Sequence, residues 1–113
     1  MAASSVPDGA MTKPERPPRT WTLREASAAD MSAILACREV TFVGEDLEKQ
    51  NEDYWSWEFL DNHAGPSRMF VAEDEGVVVG HYAVTPQRFL CGQKELCGSI
   101  VVDVMTHPDY RFQ

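Results

Sequence analysis

No apolar run in this chain approaches the length needed to cross a bilayer, so no helical membrane span is expected. Positive charge is scarce. Ten Lys and Arg stand against eighteen Asp and Glu, a net charge of -8. That balance argues against nucleic acid or an anionic membrane surface as the main partner. Cysteine is also sparse and odd in number: Cys37, Cys91 and Cys97 form no regular framework, and the first residues hold no apolar segment flanked by positive charge. A reducing, cytoplasmic setting without structural disulfides is the expectation. Cys91, Cys97, His81 and His107 match no compact zinc spacing, so no metal site is expected. There is no Ser-nucleophile elbow, Walker loop, dinucleotide-binding glycine fingerprint or internal repeat.

What is present is a globular composition, 43% apolar and 25% charged, in 113 residues, enough for one domain with a modest core. Residues 1–20 are rich in Ala, Ser, Pro and charge. They cannot bury enough apolar surface to offset chain entropy and read as a disordered tail. Trp21 to Arg24 alternates apolar and polar, as a strand does. Ser27 with Asp30 three residues on is a capping-box start. Met31, Ile34, Leu35, Arg38 and Phe42 then keep helical spacing, which predicts a helix over Ala28 to Phe42 ended by Gly44. A second helix is predicted over Asp46 to Asn62, with Tyr54, Trp55, Trp57, Phe59 and Leu60 almost all round it, a pattern that calls for cover on both sides. These aromatics read as core, as a surface that a further part of the domain would cover, or as the wall of an acceptor pocket.

Strands follow at Arg68 to Asp74, Val77 to Phe89 and Glu95 to Met105, joined by turns at Glu75-Gly76 and at Cys91 to Lys94. Gly80 marks a bulge or a close backbone approach, and Pro86 a kink or an edge position. The order β-α-α-β-β-β predicts an α+β fold of the three-layer α/β type with an antiparallel sheet. The last stretch, Val101-Val102-Asp103-Val104-Met105-Thr106-His107-Pro108-Asp109-Tyr110-Arg111-Phe112-Gln113, reads as a buried strand running into a Pro-Asp-Tyr-Arg turn.

That element order, the Arg-Glu-Ala-Ser-Ala-Ala-Asp start, the run Tyr54, Trp55, Trp57, Phe59, Leu60 and the closing strand and turn together resemble the N-terminal half of the GNAT-type N-acetyltransferases. The likeness covers Trp21 to Gln113. In that family the strand leads into Arg/Gln-x-x-Gly-x-Gly, whose loop opens a helix that holds the pyrophosphate of acetyl-CoA. Helix N-termini favour anions, and a leading Arg adds a fixed charge. Arg111 matches the first signature position, Phe112 and Gln113 the next two, and the first glycine is expected immediately after Gln113.

The resemblance implies a domain over residues 21–113 cut before those glycines. It implies an acetyl-CoA-dependent transfer of an acetyl group to an amine, and an isolated fragment without activity. It places the cosubstrate's pantetheine arm on the backbone of Val104, Met105 and Thr106, with Arg111 and Gln113 at the pyrophosphate loop. An exposed strand edge suits such a peptide-like arm. Asp103 stands where many sequences of that family place an acidic residue on this strand, which makes it the candidate general base, and desolvation within Val-Val-Asp-Val would raise its pKa. It reads equally as a carboxylate paired with Arg88 or Arg24, or facing solvent. Glu58 and His81 are further candidates, each also readable as structural. Cys37 reads as a small apolar thiol on the core side of the first helix. The acidic surface suits a cationic acceptor. An open last strand would also favour self-association, and the alternative function is a non-catalytic interaction or acyl-CoA-sensing module using that edge or the Trp-rich helix.

Overall fold

The computed structural model describes residues 18–112; residues 1–17 of the expected tail, and Gln113, lie outside the described residues. Four strands form one antiparallel meander in the order β1 (Thr22–Glu25), β2 (Arg68–Asp74), β3 (Val77–Cys91), β4 (Lys94–Thr106). Two helices, α1 (Met31–Thr41) and α2 (Glu52–Phe59), lie between β1 and β2 in sequence. The fold is therefore the mixed α and β arrangement with an antiparallel sheet that the element order predicts.

Local chemistry sets the element ends. Ser27 accepts from Ala29 N, while the Asp30 carboxylate accepts from Ser27 N at 2.9 Å, a reciprocal box over the 3-10 turn Ala28–Asp30 that leads into α1. The second predicted helix is broken. A 3-10 turn at Leu47–Gln50 is separated from α2 by Asn51, whose backbone is extended and whose side chain accepts from Asp53 N and Tyr54 N. Asn is a preferred N-cap because its oxygen satisfies donors that the helix leaves free. At the β2–β3 turn Glu75 and Gly76 both have positive φ (51° and 79°), as a type I′ hairpin requires.

The core lies on the helix-facing side of the sheet, where Ile34, Leu35 and Cys37 of α1 and Trp55 and Phe59 of α2 meet Met69, Val71, Ala83 and Met105. Only one stripe of α2 is buried, and Trp57 is 63% exposed. The expectation of cover on both sides of that helix is thus corrected: among the described residues its second aromatic stripe, Tyr54 and Trp57, borders a hollow instead of packing into a core. Cys37 is buried in the core, where burial pushes its thiol up. All three cysteines are free.

The register shifts between β2 and β3 beside Gly80, where Ala72 pairs Gly80 but Glu73 pairs Val78. A Cβ on Gly80 would meet Ala72 Cβ at 3.4 Å and the Met105 carbonyl at 3.5 Å, so bulge and close approach coincide there. Pro86 lies beyond the end of β2, whose last pair is Arg68 with Val84, so β3 is paired on one side only and the missing N–H is tolerated. Among the described residues β4 has no strand on its outer side, and Val101 and Val104 are 49% and 54% exposed. The closing strand is an edge strand rather than a buried one.

Candidate functional site

The site is built around an irregularity in β4. Opposite it on β3, His81 and Ala83 are two residues apart and share the helix-facing side. Their β4 partners, Met105 and Val102, are three apart. A regular strand would send those two side chains to opposite faces. The chain resolves the conflict with a bulge: Asp103 takes φ 54°, and one extra residue lets both Val102 and Met105 reach the core side. Left-handed backbone disfavours most residues, and Asp is among the few that visit it.

Asp103 is pinned there. Its carboxylate takes a hydrogen bond and ion pair from the buried Arg38 Nη1, and its other oxygen lies 3.0 Å from His81 Nδ1. The same imidazole nitrogen lies 3.1 Å from the Asp103 carbonyl. Both neighbours of Nδ1 are acceptors, so Nδ1 carries a proton. Arg38 also reaches Asp46 at 3.8 Å and lies over the Phe42 ring. Burial pushes the Asp103 carboxyl up, but the hydrogen bond from His81 and the charges of Arg38, His81 and Lys49 outweigh it and hold the group below the usual carboxylate range. The expected rise in pKa is thereby corrected. Its partners are also neither of the arginines considered from the sequence: Arg24 instead bridges Asp30 at 2.7 Å and Glu73 at 2.9 Å.

Beyond the bulge, Met105 and Thr106 pair with His81 and Gly80, while their outer side faces no strand among the described residues. Val104 and Thr106 are exposed and Met105 is buried. The chain then turns through the 3-10 segment Pro108–Tyr110, capped by His107, whose Nδ1 accepts from Asp109 N at 3.1 Å. Two bonds tie this segment to the sheet: His107 N donates to Val79 O at 2.8 Å, and the Tyr110 hydroxyl donates to Asp74 at 2.6 Å. The hydrogen bond to Asp74, with burial and the Asp74 charge behind it, raises the Tyr110 pKa. Arg111 projects into solvent at the end of an apolar groove of about 390 Å³ on the face opposite the helices, lined by Leu23, Phe70, Tyr82, Val104, Thr106 and Phe112 among others.

Two further hollows open on the helix side. One, of about 350 Å³, is polar and contains Arg38, Asp46, Lys49, Glu58, Asp103 and Val104. The other, of about 420 Å³, lies between α2 and the β3–β4 ribbon. Glu58 borders both. Burial and then the charge of Asp103 push its carboxyl above the ordinary range. Thus the structure brings Asp103, His81 and Glu58 to one region on the helix side, and it places Val104, Met105 and Thr106 on the open edge with Arg111 beyond them. Sequence reasoning did not connect Arg38 to Asp103. The available signal was a charged residue at a core-stripe position of α1. Among the described residues no group of His, Cys, Asp and Glu could hold a metal ion, and no helix is long and apolar enough to cross a membrane.

Comparison with known proteins now places the fold. A predicted acetyltransferase with acetyl-CoA from Clostridium acetobutylicum superposes with a TM-score of 0.58 at 19% identity, covering 81% of this chain and 63% of that one. A transcriptional regulator from Bacillus halodurans C-125 superposes with a TM-score of 0.59 at 21% identity, covering 82% of this chain and 64% of that one. The chain therefore spans less than two thirds of each of these two structures. No curated protein matches it. Residues 22–113, which carry the sheet, both helices and the bulged edge strand, match the acetyltransferase (GNAT) domain, and the chain belongs to that family.

Proposed function

We propose that this chain forms the N-terminal part of an N-acetyltransferase domain that moves an acetyl group from acetyl-CoA to an amine. The observation that carries this reading is the bulged edge of β4. Asp103 in left-handed backbone interrupts the β3–β4 ladder, which resumes at Met105 and Thr106, and the outer side of Val104 to Thr106 faces no strand among the described residues, just before the segment that leads to Arg111. Free N–H and C=O groups on an edge accept an amide-bearing arm as they would another strand. Val104, Met105 and Thr106 hold the pantetheine arm, and Arg111 with Gln113 begins the pyrophosphate loop.

In the reaction the amine nitrogen lone pair attacks the thioester carbonyl carbon. A C–N bond forms, the C–S bond breaks, and the sulfur leaves with its electron pair to take up a proton. The attacking amine must first be neutral, which needs a proton acceptor. Asp103 is a poor one, held ionised by Arg38 and His81, and serves instead to fix the bulge. Glu58, with its raised pKa and its place between the two helix-side hollows, takes the proton. Free thiols suit a reducing, cytoplasmic setting.

Calorimetry with acetyl-CoA tests the reading on two proteins, this chain and a chain extended to the full length of a GNAT domain. Saturable binding on extension, weakened by Arg111→Ala, is expected, with little or no binding and no turnover by the 113-residue chain. Absence of binding by the extended chain overturns the assignment. A second reading rests on the outer half of the β3–β4 hairpin, where Leu90 is 78% exposed and Phe89, Leu96 and Ile100 are each 45% exposed on or beside a bare edge. Such an edge favours self-association, and sedimentation of the 113-residue chain reads it directly.

A further inference from the structure

The 420 Å³ hollow is unlike the rest of the surface. Four residues of one α2 stripe, Tyr54, Trp57, Glu58 and Asp61, stand along one wall at spacings of three and four, which places them on one face of the helix and its final turn. Thr85, Gln87, Ile100 and Val102 of the β3–β4 ribbon form the opposite wall. Tyr54 and Trp57 meet edge to face with centroids 5.6 Å apart. The rim is fixed by Asn62, whose side chain donates to the Pro86 carbonyl at 3.3 Å and accepts from Ala64 N at 3.0 Å.

Two features give the hollow its chemistry. Indole and phenol faces carry negative quadrupole potential and attract cations. Glu58 and Asp61 add carboxylates that form no ion pair among the described residues, and no Lys or Arg lines the cavity. An exposed Trp beside two carboxylates that hold no salt bridge among the described residues, with His63 the one basic residue of the lining, is complementary to an organic cation. Glu58 links the hollow to the bulge, since it also borders the space containing Asp103 and Val104.

We propose that this hollow is the acceptor site and that it takes a small organic cation, its ammonium group seated against Tyr54 and Trp57 with Glu58 and Asp61 as counter-charges. The proposal rests on the acetyltransferase reading for the word acceptor, and the binding itself does not. An amine entering as its ammonium ion arrives next to the group that then removes its proton, close to the edge where the thioester lies.

The test uses choline as a cationic probe and 3,3-dimethylbutan-1-ol, in which carbon replaces the charged nitrogen, as its neutral isostere. Each is titrated into the 113-residue chain and followed through the Trp57 indole and the amides of Tyr54 to Asp61 by NMR. Choline is expected to shift these signals saturably, with the neutral isostere at least about fivefold weaker, the weight of one cation–π contact. Trp57→Ala, at an exposed position, and Asp61→Asn should each weaken choline by a similar factor with the fold's melting point preserved. Equal binding of both probes, no shift with choline, or Trp57 shielded in a self-associated species each overturns the proposal. Choline binding without acetyl-CoA binding by the extended chain removes the acetyltransferase reading and leaves the cation site. The reverse result removes the cation site alone.

Discussion

Removing the Arg38 guanidinium is the sharpest perturbation of this fold. Arg38→Met keeps an unbranched apolar side chain against Phe42 and α1 while deleting the charge that faces Asp103. The two side chains are only 6% and 9% exposed, so water cannot replace the lost partner without opening the bulge. Taking one member from a buried ion pair costs about 3–5 kcal/mol, because a charge is left buried and uncompensated. His81 still faces Asp103 at 3.0 Å, so the lower end, about 3 kcal/mol, is expected. For a domain of this size that lowers the melting midpoint by roughly 12–24 °C. Urea unfolding followed by the fluorescence of Trp55, which is buried in the core, reads the change.

The double substitution Arg38→Met with Asp103→Asn should recover about 1–3 kcal/mol relative to the sum of the single changes, since the stranded charge is gone. The pH dependence has a definite sign. Asp103 has a depressed folded pKa, so its contribution is fully present above the ordinary carboxylate value of 3.8 and fades as pH falls through its own lower value. The stability gap between the unsubstituted chain and Asp103→Asn should therefore narrow on acidification below that ordinary value. An Arg38→Met chain within about 0.5 kcal/mol of the unsubstituted one, the scale of a surface change, refutes the reasoning.

Other outcomes follow from single contacts. Asn51→Ala removes the acceptor for Asp53 N and Tyr54 N and should destabilise the chain by about 1 kcal/mol in thermal melts, whereas Asn51→Asp should be close to neutral. Tyr110→Phe deletes the 2.6 Å bond to Asp74 and should speed amide exchange in Asp109 to Phe112 while leaving the core amides unchanged. In ultraviolet titration the Tyr110 phenol of the unsubstituted chain should ionise above the ordinary value of 10.0, and Asp74→Asn should bring it down. Arg111→Ala should lower acetyl-CoA affinity of the extended chain without moving its melting point, because Arg111 is exposed and forms no ion pair among the described residues.

Local patterns in the sequence carried much of this fold. Alternation and turn chemistry located β2 to the residue, and Ser27 with Asp30 announced the start of α1 through a capping box that the structure contains. The aromatic run of α2 misled because periodicity cannot say which side of a helix the rest of the molecule covers, and the Asn51 cap was absorbed into a longer helix. The bulge was harder to see. Its trace is the change of phase between Val102 and Met105, both of which turn inward, but phase has meaning only once His81 and Ala83 are known to be their partners. The same holds for Asp103. Its desolvation was legible in Val-Val-Asp-Val, whereas the arginine that reverses the consequence lies sixty-five positions away on another element. The cup at Tyr54, Trp57, Glu58 and Asp61 needed the opposite wall from β3 and β4, which no local spacing reveals.

The central test is what the outer side of β4 does when acetyl-CoA is added. Amide hydrogen exchange at Val104, Met105 and Thr106, measured in a chain extended to full domain length with and without acetyl-CoA, reads that edge residue by residue. Slowed exchange at this edge, with Arg111 protected alongside, is the predicted result. Unchanged exchange there while acetyl-CoA binds, or protection confined to some other surface, contradicts the account.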